Sequence, residues 1–485
     1  MFEQSGGAPF RTKLILVCAL AAFAAPALAF DRTPWLADLA QVREALATKY
    51  ANLEWAVFDH ETDLSKLFTE TQTRIEKAGD DSEARAAFDR FADRLGDEHA
   101  GFRWPKANAA IETSPTPRCA ALGYDERSRA KPLAANAAGY QPLHTPTPDE
   151  FPAGVITIGG RKIGILKIGV FMPQGYPALC EAAIAELGIP GNTPCDDACE
   201  DKVGAAVANR QTRDLIAVLQ ALRADGVAAL VVDIAGNGGG TEWAEAVARM
   251  LTPIRLRSES MRFVRGAHWE KTFADDEREL RSYAAHAQAQ DRTMLLALAR
   301  EAEERRREAL TPCDSAPLWR SKHLTCEWLG RGFYGSGLLA AADPNTLRGK
   351  SWADLLFSPT QYPYEEGVWR RPLIVLIDKG VASAASEFVA VLQDNRAAVI
   401  MGEPSGGGCG HTNGGTPTTL SHSRAVFNLP DCARFRTDGT NEARGIEPDV
   451  LVGFLPGDGP HLRAARFLAK LPEAVARTES LSAKR

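Results

Sequence analysis

Residues 372–388 read Pro-Leu-Ile-Val-Leu-Ile-Asp-Lys-Gly-Val-Ala-Ser-Ala-Ala-Ser-Glu-Phe. Pro372 to Ile377 is an apolar run without alternation, the pattern of a strand covered on both faces of a sheet. Asp378-Lys379-Gly380 breaks the run, and helical spacing follows from about Ala382 to Asp394. The stretch therefore predicts a buried strand that turns sharply into a helix, with Ser383 at the helix opening. The first turn of a helix leaves N–H groups unpaired at the positive end of its dipole, a favourable place for a developing oxyanion. Serine is also a preferred N-cap residue, so this segment alone fits capping equally well.

The same alternation extends on both sides. Lys162 to Ile168 reads as a strand, Thr212 to Arg223 as an amphipathic helix, and Val227 to Ile234 as a second buried strand. A glycine loop at 236–240 and a helix from Glu242 to Leu251 follow, and strand Ala397 to Met401 leads to a glycine-rich turn at 405–410. Strands interleaved with helices predict an α/β core spanning 161–455. Upstream, Leu36, Leu39, Val42 and Leu46, then Ala86, Phe88, Phe91 and Leu95, recur at helical spacing and predict an N-terminal helical domain over 30–103. Residues 104–160, rich in Pro, Ala and Thr, read as a connecting segment. The charged stretch Asp275 to Leu310 predicts solvated helices within an insertion at about 265–350, and 456–485 reads as a C-terminal helix and tail.

Arg11 and Lys13 precede the apolar run Leu14 to Ala25, and Ala27-Leu28-Ala29 precedes Phe30. This predicts a signal peptide over 1–29, cleaved after Ala29, and a periplasmic or secreted mature chain. No other run reaches the roughly 18 apolar residues of a membrane span, so none is expected in the mature chain. A net charge of −6 without a basic stripe argues against nucleic acid as a partner. Beyond Cys18 lie eight cysteines, an even count that favours disulfides in an oxidising compartment. Cys195-x3-Cys199 has no second close Cys/His pair, so a zinc site is not expected. Cys409 and Cys432 are expected to pair across a returning hairpin formed by Thr416 to Leu420 and Arg424 to Leu429.

Several segments together carry a resemblance. They are Ser383-Ala384-Ala385-Ser386-Glu387-Phe388 with Leu392-Gln393-Asp394 and Gly402-Glu403-Pro404-Ser405-Gly406-Gly407, then Val232-Asp233-Ile234-Ala235-Gly236-Asn237-Gly238-Gly239-Gly240, Gly445-Ile446-Glu447-Pro448-Asp449, and Leu95-Gly96-Asp97-Glu98-His99. In this order they resemble the C-terminal-processing (tail-specific) serine peptidase family, in islands between 91 and 451. The resemblance implies a crotonase/ClpP-like spiral core and acyl transfer to Ser383. One branch of that family places a lysine 25 residues after the nucleophile. Here that position is Gly408, and no lysine lies between Lys379 and Lys470.

The resemblance is therefore to the tricorn-like Ser/His branch, which implies His99 as general base, with His411 as its rival. It also implies Glu442, just before the closing turn, as a carboxylate that orients the imidazole. Where the tricorn arrangement has a bridging serine before the histidine, this chain has Glu98, so Glu98 and Glu442 are both candidates. The oxyanion hole is expected from the Ala384 N–H with an amide of Gly238 or Gly239. Ala235 replaces an arginine of the family, and no Gly-Leu-Gly-Phe-like loop of a PDZ domain separates His99 from Lys162. The expected activity is that of a secreted serine peptidase acting on peptides or unfolded protein, without metal or organic cofactor. The alternative is a non-catalytic ligand- or peptide-binding protein on the same fold.

Overall fold

The computed structural model describes residues 30–105, 118–190, 195–410 and 418–483. The leader expected at 1–29 and His411 lie outside these residues. Four helices open the described chain: α1 (Thr33–Lys49), α2 (Leu53–Phe58), α3 (Leu64–Lys77) and α4 (Asp81–Leu95). Leu39, Val42 and Leu46 of α1 meet Leu67 of α3 and Phe88 and Phe91 of α4 in one core, as their helical spacing requires. Asp63 and Asp80 cap α3 and α4 through their carboxylates. Gly96, at φ 76°, ends α4 in a left-handed turn and sends the chain sharply into Asp97, Glu98 and His99.

After β1 (Gly101–Arg103) and α5 (Arg118–Ala121) come β2 (Gln141–Pro142), β3 (Ala153–Ile158) and β4 (Arg161–Lys167). Strands β2 and β3 fall inside the segment expected to be a plain connection. Pro152 and Gly154 conceal β3 in the sequence because both are breaker signals. Gly154 is nevertheless a strand residue, since the Tyr140 ring occupies the space a Cβ would take.

Helices α6 (Pro177–Glu186) and α7 (Asp197–Ala224) lead to β5 (Ala229–Asp233), α8 (Trp243–Met250) and β6 (Ser260–Val264). Two long helices, α9 (Ala267–His286) and α10 (Ala289–Ala309), pack side by side, followed by β7 (Leu329–Tyr334), α11 (Pro344–Leu347) and α12 (Ala353–Leu356). The chain then forms β8 (Leu373–Ile377), α13 (Ala384–Asp394), β9 (Val399–Gly402), β10 (Thr418–Thr419), β11 (Val426–Asn428), β12 (Cys432–Phe435), β13 (Val450–Leu451) and α14 (Pro460–Ala483).

The fold is mixed α/β. Its main sheet has the order β13-β9-β8-β5-β4-β3-β2, parallel from β13 to β4 and antiparallel beyond. Leu230, Val232, Val375 and Ile377 face a core shared with Leu219 of α7 and Phe388 of α13. Val231, Ile374 and Leu376 face the opposite core with Phe467 and Leu471 of α14. Burial of both faces explains why β5 and β8 read as unbroken apolar runs.

Two small antiparallel sheets, β12-β6-β7 and β1-β11-β10, flank the main one. The second pairs Phe102 with Phe427, whose rings stack at 4.5 Å between centroids, and so draws the segment after His99 toward the chain beyond α13. Disulfides join Cys119 to Cys180, Cys195 to Cys199, Cys313 to Cys326 and Cys409 to Cys432. The last ties the glycine-rich turn after β9 to β12. Among the described residues no helix is long and apolar enough to cross a membrane.

Candidate active site

The turn from β8 into α13 holds Ser383 at φ 56° and ψ −128°. This is a costly conformation for a residue with a Cβ, and such strain collects where a side chain must be aimed. A strained serine between a strand and a helix is the arrangement of a nucleophile elbow. Ser383 makes no side-chain capping bond, so capping does not account for its place. The turn is closed by Val381 N–H donating to the Asp378 carbonyl at 3.0 Å and Ala385 N–H to that of Ala382 at 3.0 Å. Ser386, one turn on, is buried and its hydroxyl donates to the Gly406 carbonyl at 3.2 Å.

The glycine loop after β5 packs directly on this turn. A Cβ on Gly239 would lie 2.7 Å from Ser383 Cβ and 2.8 Å from the Ala384 nitrogen, so only glycine permits the approach. Among the described residues the N–H groups of Ala384 and Gly238 have no hydrogen-bond acceptor. The Gly239 N–H, by contrast, donates to Asn237 Oδ1 at 2.9 Å. Of the two glycines expected to serve an oxyanion, Gly238 is thus the one with a free donor.

Support for the loop comes from residues the sequence did not single out. Lys167 Nζ donates to the Ala235 carbonyl at 2.6 Å and to Asp233 Oδ1 at 3.0 Å. Asp378 Oδ1 accepts from the N–H groups of Gly236 and Gly380. Lys167 and Asp378, with Asn237, whose Nδ2 donates to the Ile168 carbonyl at 3.1 Å, brace this loop.

His99, beyond the left-handed end of α4, places its ring beside Gly410. A Cβ on Gly410 would lie 2.7 Å from His99 Nε2 and 3.3 Å from Ser383 Oγ, so both atoms border the space at Gly410. Burial holds the imidazole pKa below its ordinary value of 6.5. The Asp97 charge opposes that shift, Arg434 adds to it, and Glu442 opposes it. At neutral pH the ring is accordingly a neutral base.

Neither glutamate expected to orient His99 is paired with it. Glu98 is exposed and its carboxylate lies against Gly406, where a Cβ would collide with it. Glu442 is fully buried with Oε2 3.4 Å from Arg434 Nε. The carboxylate paired with the imidazole, among the described residues, is Asp97, whose Oδ1 lies 3.8 Å from Nδ1. Its carboxylate belongs to the Leu95 to His99 motif, but its position depends on Tyr50 and Asn52, remote in sequence.

Arg434, itself buried, also contacts Glu387 at 2.7 Å and donates to the Gly408 carbonyl at 2.8 Å. Glu245, in an ion pair with Arg249, and Glu259 complete a buried cluster of four carboxylates and two guanidinium groups. Burial raises the pKa of Glu259 and Glu387 well above the usual carboxylate range, which lets the cluster carry its excess of acids. Among the described residues no group of three or more His, Cys, Asp or Glu is arranged to hold a metal ion.

Ser383, Ala384 and Gly410 open onto a cleft of about 740 Å³. Met261 and Phe263 from β6, Trp269 from α9 and Phe333 from β7 supply its apolar lining, beside the polar groups of Glu242, Glu387 and Arg434.

A family model described as Peptidase family S41 matches residues 203–452, a span that holds the glycine loop, Ser383 and Glu442 but not His99. Among solved structures, mature CPAF is similar at 15% identity over 92% of this chain and 98% of that one, with a TM-score of 0.57. Mature CPAF complexed with lactacystin is similar at 14% identity over 92% and 99%, with a TM-score of 0.56. At such identities the likeness is one of fold. Comparison with curated protein sequences finds no match.

Proposed function

The chain belongs to peptidase family S41 and is a serine-type peptidase, and we propose that it cleaves peptide bonds through an acyl-enzyme on Ser383 with His99 as general base. The observation that carries this reading is the strained Ser383, free of capping duty, whose Oγ lies close to Gly410 as does His99 Nε2, while the Ala384 and Gly238 N–H groups have no acceptor among the described residues. His99 Nε2 takes the hydroxyl proton as Oγ attacks the scissile carbonyl carbon. The resulting oxyanion accepts from Ala384 N–H and Gly238 N–H. The imidazolium then returns its proton to the leaving amine, and water, deprotonated by the same nitrogen, releases the acyl group.

Peptides or unfolded protein segments are the substrates this cleft suits, with an apolar residue against Phe263, Trp269 and Phe333. The leader-like segment at 1–29 and four disulfides support action outside the cytoplasm. Hydrolysis of fluorogenic peptides and of a denatured protein by the mature chain tests the reading. Ser383→Ala is expected to lower the rate by at least about 10³-fold and His99→Ala by several orders of magnitude, as loss of a nucleophile or base does. Full activity in either variant would overturn the corresponding assignment.

A further inference from the structure

A base that becomes charged during the reaction needs a partner on its far nitrogen, and His99 Nδ1 is buried without a hydrogen bond. We infer that Asp97, rather than Glu98 or Glu442, is the positioning residue of His99, its Oδ1 accepting the Nδ1–H once substrate is bound. The inference rests on the reading of His99 as general base. It goes beyond that reading in naming the carboxylate that fixes the tautomer and steadies the imidazolium.

The geometry is that of one rigid unit. Asp97 Oδ1 already accepts the His99 backbone N–H at 3.0 Å, so carboxylate and histidine move together. Asp97 Oδ2 is held by the Tyr50 hydroxyl at 3.0 Å and Asn52 Nδ2 at 2.9 Å. Asn52 in turn accepts from Asn441 Nδ2 at 3.0 Å, which anchors the carboxylate to the residue before Glu442. From 3.8 Å, a small turn of the imidazole reaches hydrogen-bond distance, and catalytic bonds are often this long before substrate arrives.

Charge distinguishes Asp97 from its competitors. Both donors that hold Asp97 are neutral, and among the described residues its ionic partner is His99 alone. Its negative charge is thus left for the imidazolium. The Glu442 charge also acts on the ring, but Glu442 is paired with Arg434, whose positive charge offsets it. Glu98, an exposed residue, turns its carboxylate against Gly406 and has no ionic contact with His99 among the described residues.

The test compares Asp97→Asn, Glu442→Gln, Glu98→Gln and Tyr50→Phe in the full mature chain, measuring kcat, KM and the pH profile on one peptide, with thermal melting as the check of fold. Asp97→Asn is expected to lower kcat by about 10²–10⁴-fold with little change in KM, as loss of an orienting carboxylate does. Its acid limb should move to lower pH, because the charge that favours the imidazolium is gone. Glu98→Gln should match the parent. Tyr50→Phe, which leaves the carboxylate but removes one of the two donors to Oδ2, should lower kcat several-fold and serves if Asp97→Asn fails to fold.

Parental kcat and acid limb in a folded Asp97→Asn, or in Tyr50→Phe when that is the variant available, would overturn the inference. So would a larger kcat loss in Glu442→Gln than in Asp97→Asn. If instead His99→Ala keeps parental activity, it is the assignment of the base that fails, a distinct outcome.

Discussion

Asp378 Oδ1 accepts the N–H of Gly236 at 2.7 Å and, with its other lone pair, the N–H of Gly380 at 3.0 Å. One carboxylate oxygen therefore joins the glycine loop after β5 to the turn that carries Ser383. The two amides proposed to receive the oxyanion, Gly238 and Ala384, lie on opposite sides of that joint. Asp378 shares the setting of their separation with the Ala382 N–H, which donates to the Asn237 carbonyl at 3.3 Å. Asp378→Ala is expected to lower kcat by about 10–100-fold with KM little changed, since donors displaced by a fraction of an ångström weaken the transition state more than they weaken substrate binding. Asp378→Asn keeps the accepting oxygen and should restore most of the rate. Equal rates in Asp378→Ala and the parent would show that the loops hold their own spacing.

Ser386 resembles Ser383 in sequence context, but its surroundings differ. It lies within α13, fully buried, with its hydroxyl donating to the Gly406 carbonyl. A fluorophosphonate probe should therefore modify Ser383 alone, read by mass spectrometry of the labelled peptide. Ser386→Ala should keep the labelling rate within a few fold and lose some stability, about 1 kcal/mol for one buried hydrogen bond. An adduct on Ser386 would reverse the assignment.

What the sequence disclosed follows from where each constraint resides. Strands β5 and β8 are legible because both faces are buried, which forces Val231, Val232, Ile374 and Val375 to be apolar together. Ser383 and the glycine loop are legible because a strained turn and a close approach admit few residue types. Asp97 stood within a quoted motif, yet its role emerges only when Tyr50 and Asn52, on the connection between α1 and α2, fold against it. The apolar wall of the cleft was hidden for a similar reason. Helix α9 begins at Ala267, before the charged stretch that suggested it, because Trp269 and Phe273 pack on Phe263 of β6. Nothing in the spacing of Glu245, Glu259, Glu387, Glu442 and Arg434 announces that they converge.

The pH dependence of activity follows from His99. Burial lowers its pKa below 6.5, and only the neutral ring accepts a proton. As pH falls, activity is lost through the imidazole pKa, so the acid limb of kcat/KM should have its midpoint below 6.5. An increase of ionic strength should move it little, because the ring is largely buried. A midpoint at or above 6.5 would require a carboxylate stronger than the burial penalty.

Stability at alkaline pH should depend on Glu259. Its two carboxylate oxygens are buried without hydrogen bonds, and its ion-pair partner among the described residues, Arg434 at 3.9 Å, is shared with Glu387 and Glu442. Burial, the first cause, and the charge of Glu442 raise its pKa well above 4.5. In the unfolded chain the group ionises near its ordinary value, so between the two pKa values the folded state binds more protons. Its contribution is fully present below about 4.5 and declines as pH rises through the folded value. The depressed histidines His99 and His268, the latter at about 4, act in the opposite sense, but both are neutral in either state above pH of about 7.5. A comparison at pH of about 7.5 and 9 therefore isolates the acids. Glu259→Gln removes the ionisable group while keeping its shape, and should melt higher relative to the parent at the higher pH than at the lower one. A parallel displacement of the two melting curves at both pH values would show that Glu259 keeps its charge in the folded cluster, balanced by Arg434.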